Sequence, residues 1–137
     1  MRIFFDSSPF AKRYVSEEGT DAVVQWCDRA AEIALSGIAL PELISAFCRL
    51  RRESKISEAQ YQQLKDSLLA DIEDAAICDL TPIVLAHSIA SLERNTLRGM
   101  DAIHIGSAVA MQADLFVSAD ARQCAAAAAA GLQVAAV

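Results

Sequence analysis

Four acidic residues stand where short apolar runs give way to helical ones. Asp6 follows Arg2-Ile3-Phe4-Phe5, Glu42 follows Leu40-Pro41, Asp101 heads the apolar stretch Ala102–Met111, and Asp120 follows Val117-Ser118-Ala119. Carboxylates brought together repel one another and shift each other's pKa, and each is costly to desolvate unless compensated. A hard divalent cation is one such compensator, and all-oxygen donors suit Mg²⁺ or Mn²⁺. Mg²⁺ usually keeps several of its waters, which leaves room for a phosphate oxygen and an attacking water. The chemistry such a set would support is metal-assisted phosphodiester hydrolysis, in which the ion polarises the phosphoryl oxygen and acidifies the bound water. No other side chain is an obvious nucleophile, so no covalent intermediate is expected.

The elements that must position these acids alternate along the chain. Arg2–Asp6 reads as a buried strand with Asp6 at its C-terminal tip. Ser8 and Pro9 then suit the cap and first residue of a brief helix. Thr20 is placed to cap a second helix through Ala31. Glu32–Ser36 is a second strand, and Gly37 lets the chain turn into a helix with Pro41 and Glu42 in its first turn. Ser57-Glu58-Ala59-Gln60 is a capping-box pattern opening a helix to about Asp71. Ala75–Asp79 is a third strand, and Thr81-Pro82 repeats the cap-then-proline start of a helix through about Glu93. The Asp101 helix follows, with Ala102, Ile105, Ala108 and Val109 at core spacing. Ala113–Ser118 is a fourth strand. The alanine run 125–130, ended by Gly131, reads as a helix, and Leu132–Ala135 as a weak fifth strand. Short, apolar, non-alternating strands between helices predict a three-layer α/β/α arrangement with a central parallel sheet of about five short strands. In such a sheet functional groups gather at the C-terminal strand ends, where Asp6, Glu42, Asp101 and Asp120 would meet.

A length of 137 residues favours one domain, residues 1–137. No apolar run is long enough to span a bilayer, and the N-terminus meets Asp6 too soon for a secretory signal. Cys27, Cys48, Cys78 and Cys124 are scattered singly and read as free core thiols in a reducing cytoplasm. The net charge of −6 argues against a protein that grips nucleic acid by bulk electrostatics. It is compatible with an enzyme whose acids bind metal.

Four segments carry a family resemblance: Phe4-Phe5-Asp6-Ser7-Ser8, Leu40-Pro41-Glu42-Leu43, Leu97-Arg98-Gly99-Met100-Asp101-Ala102-Ile103-His104 and Val117-Ser118-Ala119-Asp120. In this order and spacing the chain resembles the PIN-domain ribonucleases, most nearly the VapC-type toxins of toxin–antitoxin pairs. The Leu97–His104 segment is the most specific part. The resemblance implies that Asp6, Glu42, Asp101 and Asp120 form the catalytic acidic site, with Asp6 and Asp101 holding Mg²⁺ (or Mn²⁺). It also implies RNA cleavage, a cognate antitoxin that blocks the site, and a homodimer. Ser7 and Ser118 stand where the family often has threonine, which keeps the hydroxyl in a supporting role. Arg98, beside Asp101, is a candidate for phosphate or antitoxin contact.

Plainer roles exist for each residue. Asp6, Asp101 and Asp120 could each cap a helix, Glu42 could serve only the helix dipole, and Ser118 could be an ordinary turn residue. His104, one turn beyond Asp101, reads as a structural histidine bonded inside the fold, and His87 has no evident role. The basic run Arg49, Arg51, Arg52 and Lys55 reads first as a solvated helix end, and segment 38–56 as a candidate groove for an amphipathic partner helix. Among other functions, a phosphoacceptor receiver-like domain would use Asp79. It lacks a paired acid after the first strand and a lysine after the last, and two helices rather than one separate its second and third strands. A PIN-like partner-binding module without catalysis remains as the alternative, although none of the four acids is lost. A flap-nuclease-like activity on DNA would need helical regions that this length does not provide.

Overall fold

Phe4 and Phe5 lie side by side on the central strand and point into opposite layers, because successive side chains of a strand alternate between faces. The computed structural model describes residues 1–137. It runs β1 (Arg2–Phe5), α1 (Ser7–Ala11), α2 (Thr20–Arg29), β2 (Glu32–Ser36), α3 (Ala39–Arg52), α4 (Glu58–Asp74), β3 (Ala76–Cys78), α5 (Pro82–Arg94), α6 (Gly99–Ala110), β4 (Leu115–Ser118), α7 (Ala121–Ala129) and β5 (Val134–Ala136). The five strands form one sheet in the order β3-β2-β1-β4-β5, and every pairing is parallel. This is the predicted architecture. All connections are helical crossovers, so both sheet faces are covered and the strand interiors are apolar, with Arg2 and Glu32 at the strand starts and Ser36 and Ser118 at the strand ends.

On one face Ile3, Phe5, Leu35 and Val117 pack with Phe10, Leu43, Phe47 and Leu68 from α1, α3 and α4. On the other, Phe4, Ala34 and Phe116 meet Ile105 and Ala108 of α6 and Ala126 and Ala127 of α7. Phe4 and Phe116 stack with centroids 5.7 Å apart. Burying one such ring fully contributes about 1.5–3 kcal/mol, so the β1–β4 pair is well anchored. Helix α5 lies against α6. Their backbones approach at Gly106, where a Cβ would stand 2.6 Å from the Val84 carbonyl oxygen.

Several local readings need correction. The N-cap of α1 is Asp6, not Ser8, so Pro9 is the third helical residue. The first-turn N–H groups have no intrahelical acceptor, and a proline there forfeits nothing. Helix α2 is capped by Gly19 at φ +92° and ends at Arg29, before Ala31. Thr20 Oγ1 instead accepts from the Glu17 N–H at 3.0 Å and donates to the Lys12 carbonyl at 2.9 Å. Helix α4 continues to Asp74, past Asp71, and its Ser57–Gln60 capping box is formed. The four cysteines are free, but each is only half-buried.

Candidate active site

The chain steps from β1 to β2 on one side and reaches β4 on the other. The crevice of an open parallel sheet lies outside the C-terminal strand ends at such a reversal. Asp6 directly follows β1, whose register continues through a bond from its N–H to the Val117 carbonyl at 3.0 Å. Asp120 follows β4 across the same crevice. Asp101 sits in the first turn of α6, and Glu42 in the first turn of α3.

These positions bring three of the four acids to one cleft of about 650 Å³, lined by Asp6, Asp101 and Asp120 together with Ser8, Arg98 and Arg122. Glu42 opens instead onto an adjoining groove of about 540 Å³ between α1 and α3. Ser8 lines both. Asp6 occupies a cap position yet makes no side-chain cap bond. Asp101 is inside its helix rather than at the cap. For these two residues capping therefore does not explain the carboxylate. Asp120 does cap α7, accepting from the Gln123 N–H at 2.9 Å, which leaves its second oxygen free.

A buried histidine joins Glu42 to Asp6. His104 is 1% exposed, and its Nε2 lies 2.5 Å from Glu42 Oε1 and 3.5 Å from Asp6 Oδ1. A carboxylate can only accept, so Nε2 carries the proton. The buried Nδ1 has no partner. Ser7 Oγ donates to the same Glu42 oxygen at 2.9 Å. Two donors on Oε1 fix the Glu42 rotamer and leave Oε2 available. On the far wall, Ser118 Oγ donates to Gln123 Oε1 at 2.7 Å and accepts from the Asp120 N–H at 3.1 Å. Gln123 Nε2 donates to the Asp101 carbonyl at 3.3 Å. Ser7 and Ser118 thus both sit beside the acids, one holding a side chain and the other a turn.

The electrostatics follow from this geometry. Burial pushes the Asp6 carboxyl up, and the Asp101 charge adds to the rise. His104, the Ser7 N–H and Gln123 offset it only in part. Burial also raises Asp101, reinforced by the charges of Asp120 and Glu42 and opposed by His104 and Arg98. Glu42 is pushed up by burial, but the His104 and Ser7 hydrogen bonds prevail and hold it below its ordinary value. Asp6 and Asp101 are therefore under-compensated, while Glu42 is well solvated by protein donors. An all-oxygen set with raised carboxyls fits a hard divalent cation. No three His, Cys, Asp or Glu side chains are already drawn together as a cage. Asp101 is only half-buried, and Asp120 is exposed with one oxygen outside its cap bond, so each can offer an oxygen to an ion.

Sequence reasoning left two residues of this site undervalued. His104 is buried and bonded, as expected of a structural histidine, but its bond is to an acid of the site. The three-residue offset from Asp101 places both on one helix face and signalled the proximity. Gln123, fully buried, is the second. Its signal was a polar residue within an alanine-rich helix, three residues after a capping acid. Of the basic run, Arg51 pairs with Glu58 at 3.0 Å and Lys55 with Glu53 at 3.2 Å. Arg49 and Lys55 line the α1–α3 groove.

The family model of the PIN domain matches residues 3–129. The chain is 33% identical over 116 residues to ribonuclease VapC45 of Mycobacterium tuberculosis, an alignment covering 80% of this chain and 76% of that protein. Among solved structures, it is similar to Mycobacterium tuberculosis VapC20, described as a sarcin–ricin loop cleaving toxin, with a TM-score of 0.67 at 16% identity, covering 90% of this chain and 94% of that one. It is also similar to a chain of VapBC2 from Rickettsia felis, solved bound to a DNA fragment from its promoter. The TM-score there is 0.70 at 15% identity, covering 100% and 99% of the two chains.

Proposed function

Because the chain belongs to the PIN-domain family, we propose that it is a metal-dependent endoribonuclease, the VapC-type toxin of a toxin–antitoxin pair. The observation that carries this reading is the meeting of Asp6, Asp101 and Asp120, from three separate segments, in one open cleft at the reversal of the sheet. Asp6 and Asp101 would hold the ion, with Asp120 and Glu42 as ligands directly or through water. Bound there, Mg²⁺ or Mn²⁺ supplies a polarised phosphoryl oxygen and an acidified water for in-line attack on an RNA phosphate. Ser7 and His104 keep Glu42 in one rotamer. Ser118 and Gln123 set the turn that carries Asp120. Arg98 offers a fork for a phosphate oxygen.

The partner assignments rest on surfaces of the same fold. The α1–α3 groove is lined by Ala11, Val15, Leu43, Phe47 and Leu50 and opens onto Glu42. It suits an amphipathic antitoxin segment that covers the acids. Leu85, Ile89 and Leu92 are exposed at 44%, 55% and 39% and form a stripe along α5 that suits a second copy. No helix is long and apolar enough to cross a membrane. The unpaired cysteines accord with a reducing cytoplasm.

The test is cleavage of total RNA by the purified chain with Mg²⁺ or Mn²⁺, with EDTA, and with Asp101→Asn. Cleavage that needs the metal and disappears in the variant is the expected result. Antitoxin binding with no cleavage under any condition would identify a non-catalytic partner module instead.

A further inference from the structure

Four basic side chains are paired with acids away from the cleft: Arg2 with Glu32, Arg13 with Asp71, Arg51 with Glu58 and Lys55 with Glu53. Arg98 and Arg122 stand where acids are densest, lining the cleft with Asp6, Asp101 and Asp120, yet neither is ion-paired with any of them. They come from opposite walls. Arg98 ends the α5–α6 connector at the cap position of α6, and Arg122 is the second residue of α7. Each is anchored by a helix start, so the backbone beneath both guanidinium groups is ordered.

Beyond Arg122 the cleft continues into a recess of about 290 Å³ lined by Asn95, Thr96, Arg122 and Ala125. Thr96 and Arg122 line both spaces. Asn95 Nδ2 donates to the Ser91 carbonyl at 3.0 Å. That bond holds the amide and leaves Oδ1 as an acceptor. The recess thus brings together an amide side chain, a threonine, an arginine outside every ion pair and an alanine. This is the chemistry that meets a base edge and its adjoining phosphate. Guanidinium forks hold phosphate oxygens in bidentate fashion and stack on bases, and single-stranded RNA presents both groups. A chain of net charge −6 repels a polyanion as a whole, so the cations at the cleft must supply the local attraction.

Resting on the ribonuclease reading, we infer that this recess is the subsite for the nucleotide flanking the scissile phosphate. Arg122 holds that nucleotide's phosphate, and Asn95 and Thr96 meet its base. The RNA strand then enters past α7, on the side away from the apolar α1–α3 groove.

The test is fluorescence anisotropy of a short labelled single-stranded RNA on the Asp101→Asn protein, titrated across KCl concentrations, with and without Arg122→Gln. Loss of one phosphate contact on a single strand should weaken binding about tenfold and reduce the salt slope by about 0.7. On the otherwise wild-type enzyme, Arg122→Gln should raise KM and change kcat little, because the contact exists before and during reaction. Asn95→Ala and Thr96→Val should leave the salt slope unchanged and redistribute the positions cut in total RNA. Arg29→Gln, at the end of α2 just before β2 and so by the N-terminal strand ends, away from the cleft, should do neither. Arg122 is exposed and unpaired, so its variants should melt like the parent. Unchanged affinity and slope in Arg122→Gln, with the parent enzyme cutting RNA, would overturn the subsite and leave the nuclease standing. A parent that neither binds nor cuts RNA would overturn both.

Discussion

Gly106→Ala tests whether the close approach of α5 and α6 is what places Asp101 and His104. A Cβ at this position would stand 2.3 Å from Ser88 Oγ, 2.6 Å from the Val84 carbonyl oxygen and 2.9 Å from the Ser88 backbone nitrogen. The hydroxyl could rotate away, but it now donates to that same carbonyl at 2.8 Å, and losing a buried bond costs about 1 kcal/mol. The two backbone atoms cannot yield. Restoring a contact of about 3.5 Å to the carbonyl requires the helices to separate locally by roughly 0.9 Å. Overpacking of this kind costs about 1–3 kcal/mol, against a gain of roughly 1 kcal/mol for replacing a helical glycine by alanine. The net loss is about 2 kcal/mol. With an unfolding entropy of about 2.1 cal/mol/K per residue, that lowers the Tm of a chain this size by about 7 °C. Since α6 carries Asp101 and His104, a displacement near 1 Å should also slow RNA cleavage about 100-fold. Calorimetry and a cleavage time course on the same preparation read both effects. A variant that melts within about 2 °C of the parent and cuts at the parental rate would refute the role of this contact.

Asp101→Asn should abolish cleavage and yet raise the metal-free Tm slightly at pH 7. A carboxyl raised in the folded state contributes stability below the unfolded pKa and loses it as pH rises through the folded value, so the difference between variant and parent should vanish near pH 3. Glu42 has the opposite sign. Its carboxyl is lowered in the fold, so its contribution is present at neutral pH and lost on acidification, and Glu42→Gln should lower the Tm at pH 7. His104→Leu removes one of the two donors on Glu42 Oε1 and should weaken Mn²⁺ binding measured by calorimetry. His104→Gln, whose amide can still donate from a similar place, should restore it in part. Ile89→Lys, in the exposed α5 stripe, should turn a dimer into a monomer in light scattering without changing the Tm of the monomer.

Much of this molecule was readable one segment at a time. The strands carry continuous apolar runs because both faces are covered, and that property marks Phe4-Phe5 and Phe116-Val117 without knowledge of their neighbours. The Ser57 box, the Thr81-Pro82 start and the Gly131 stop are local devices whose partners lie within four residues, so they too are legible. Cap positions at Asp6 and Gly19 are not legible locally, because several adjacent residues can each serve. The choice between them depends on contacts such as Thr20 to Lys12, which lie outside the helix.

The alternation of elements, the parallel sheet, and the four acids at strand ends and helix starts are legible along the chain, because burial pattern and residue type act locally. How those acids are grouped and compensated depends on the packing of distant segments. Asp6, Asp101 and Asp120 share a cleft because β1 and β4 are neighbours across the reversal of the sheet. Glu42 faces a different groove and is held by His104 and Ser7, residues 62 and 35 positions away in the chain. Compensation of a buried charge is a property of the three-dimensional surroundings, and no spacing along the chain encodes it.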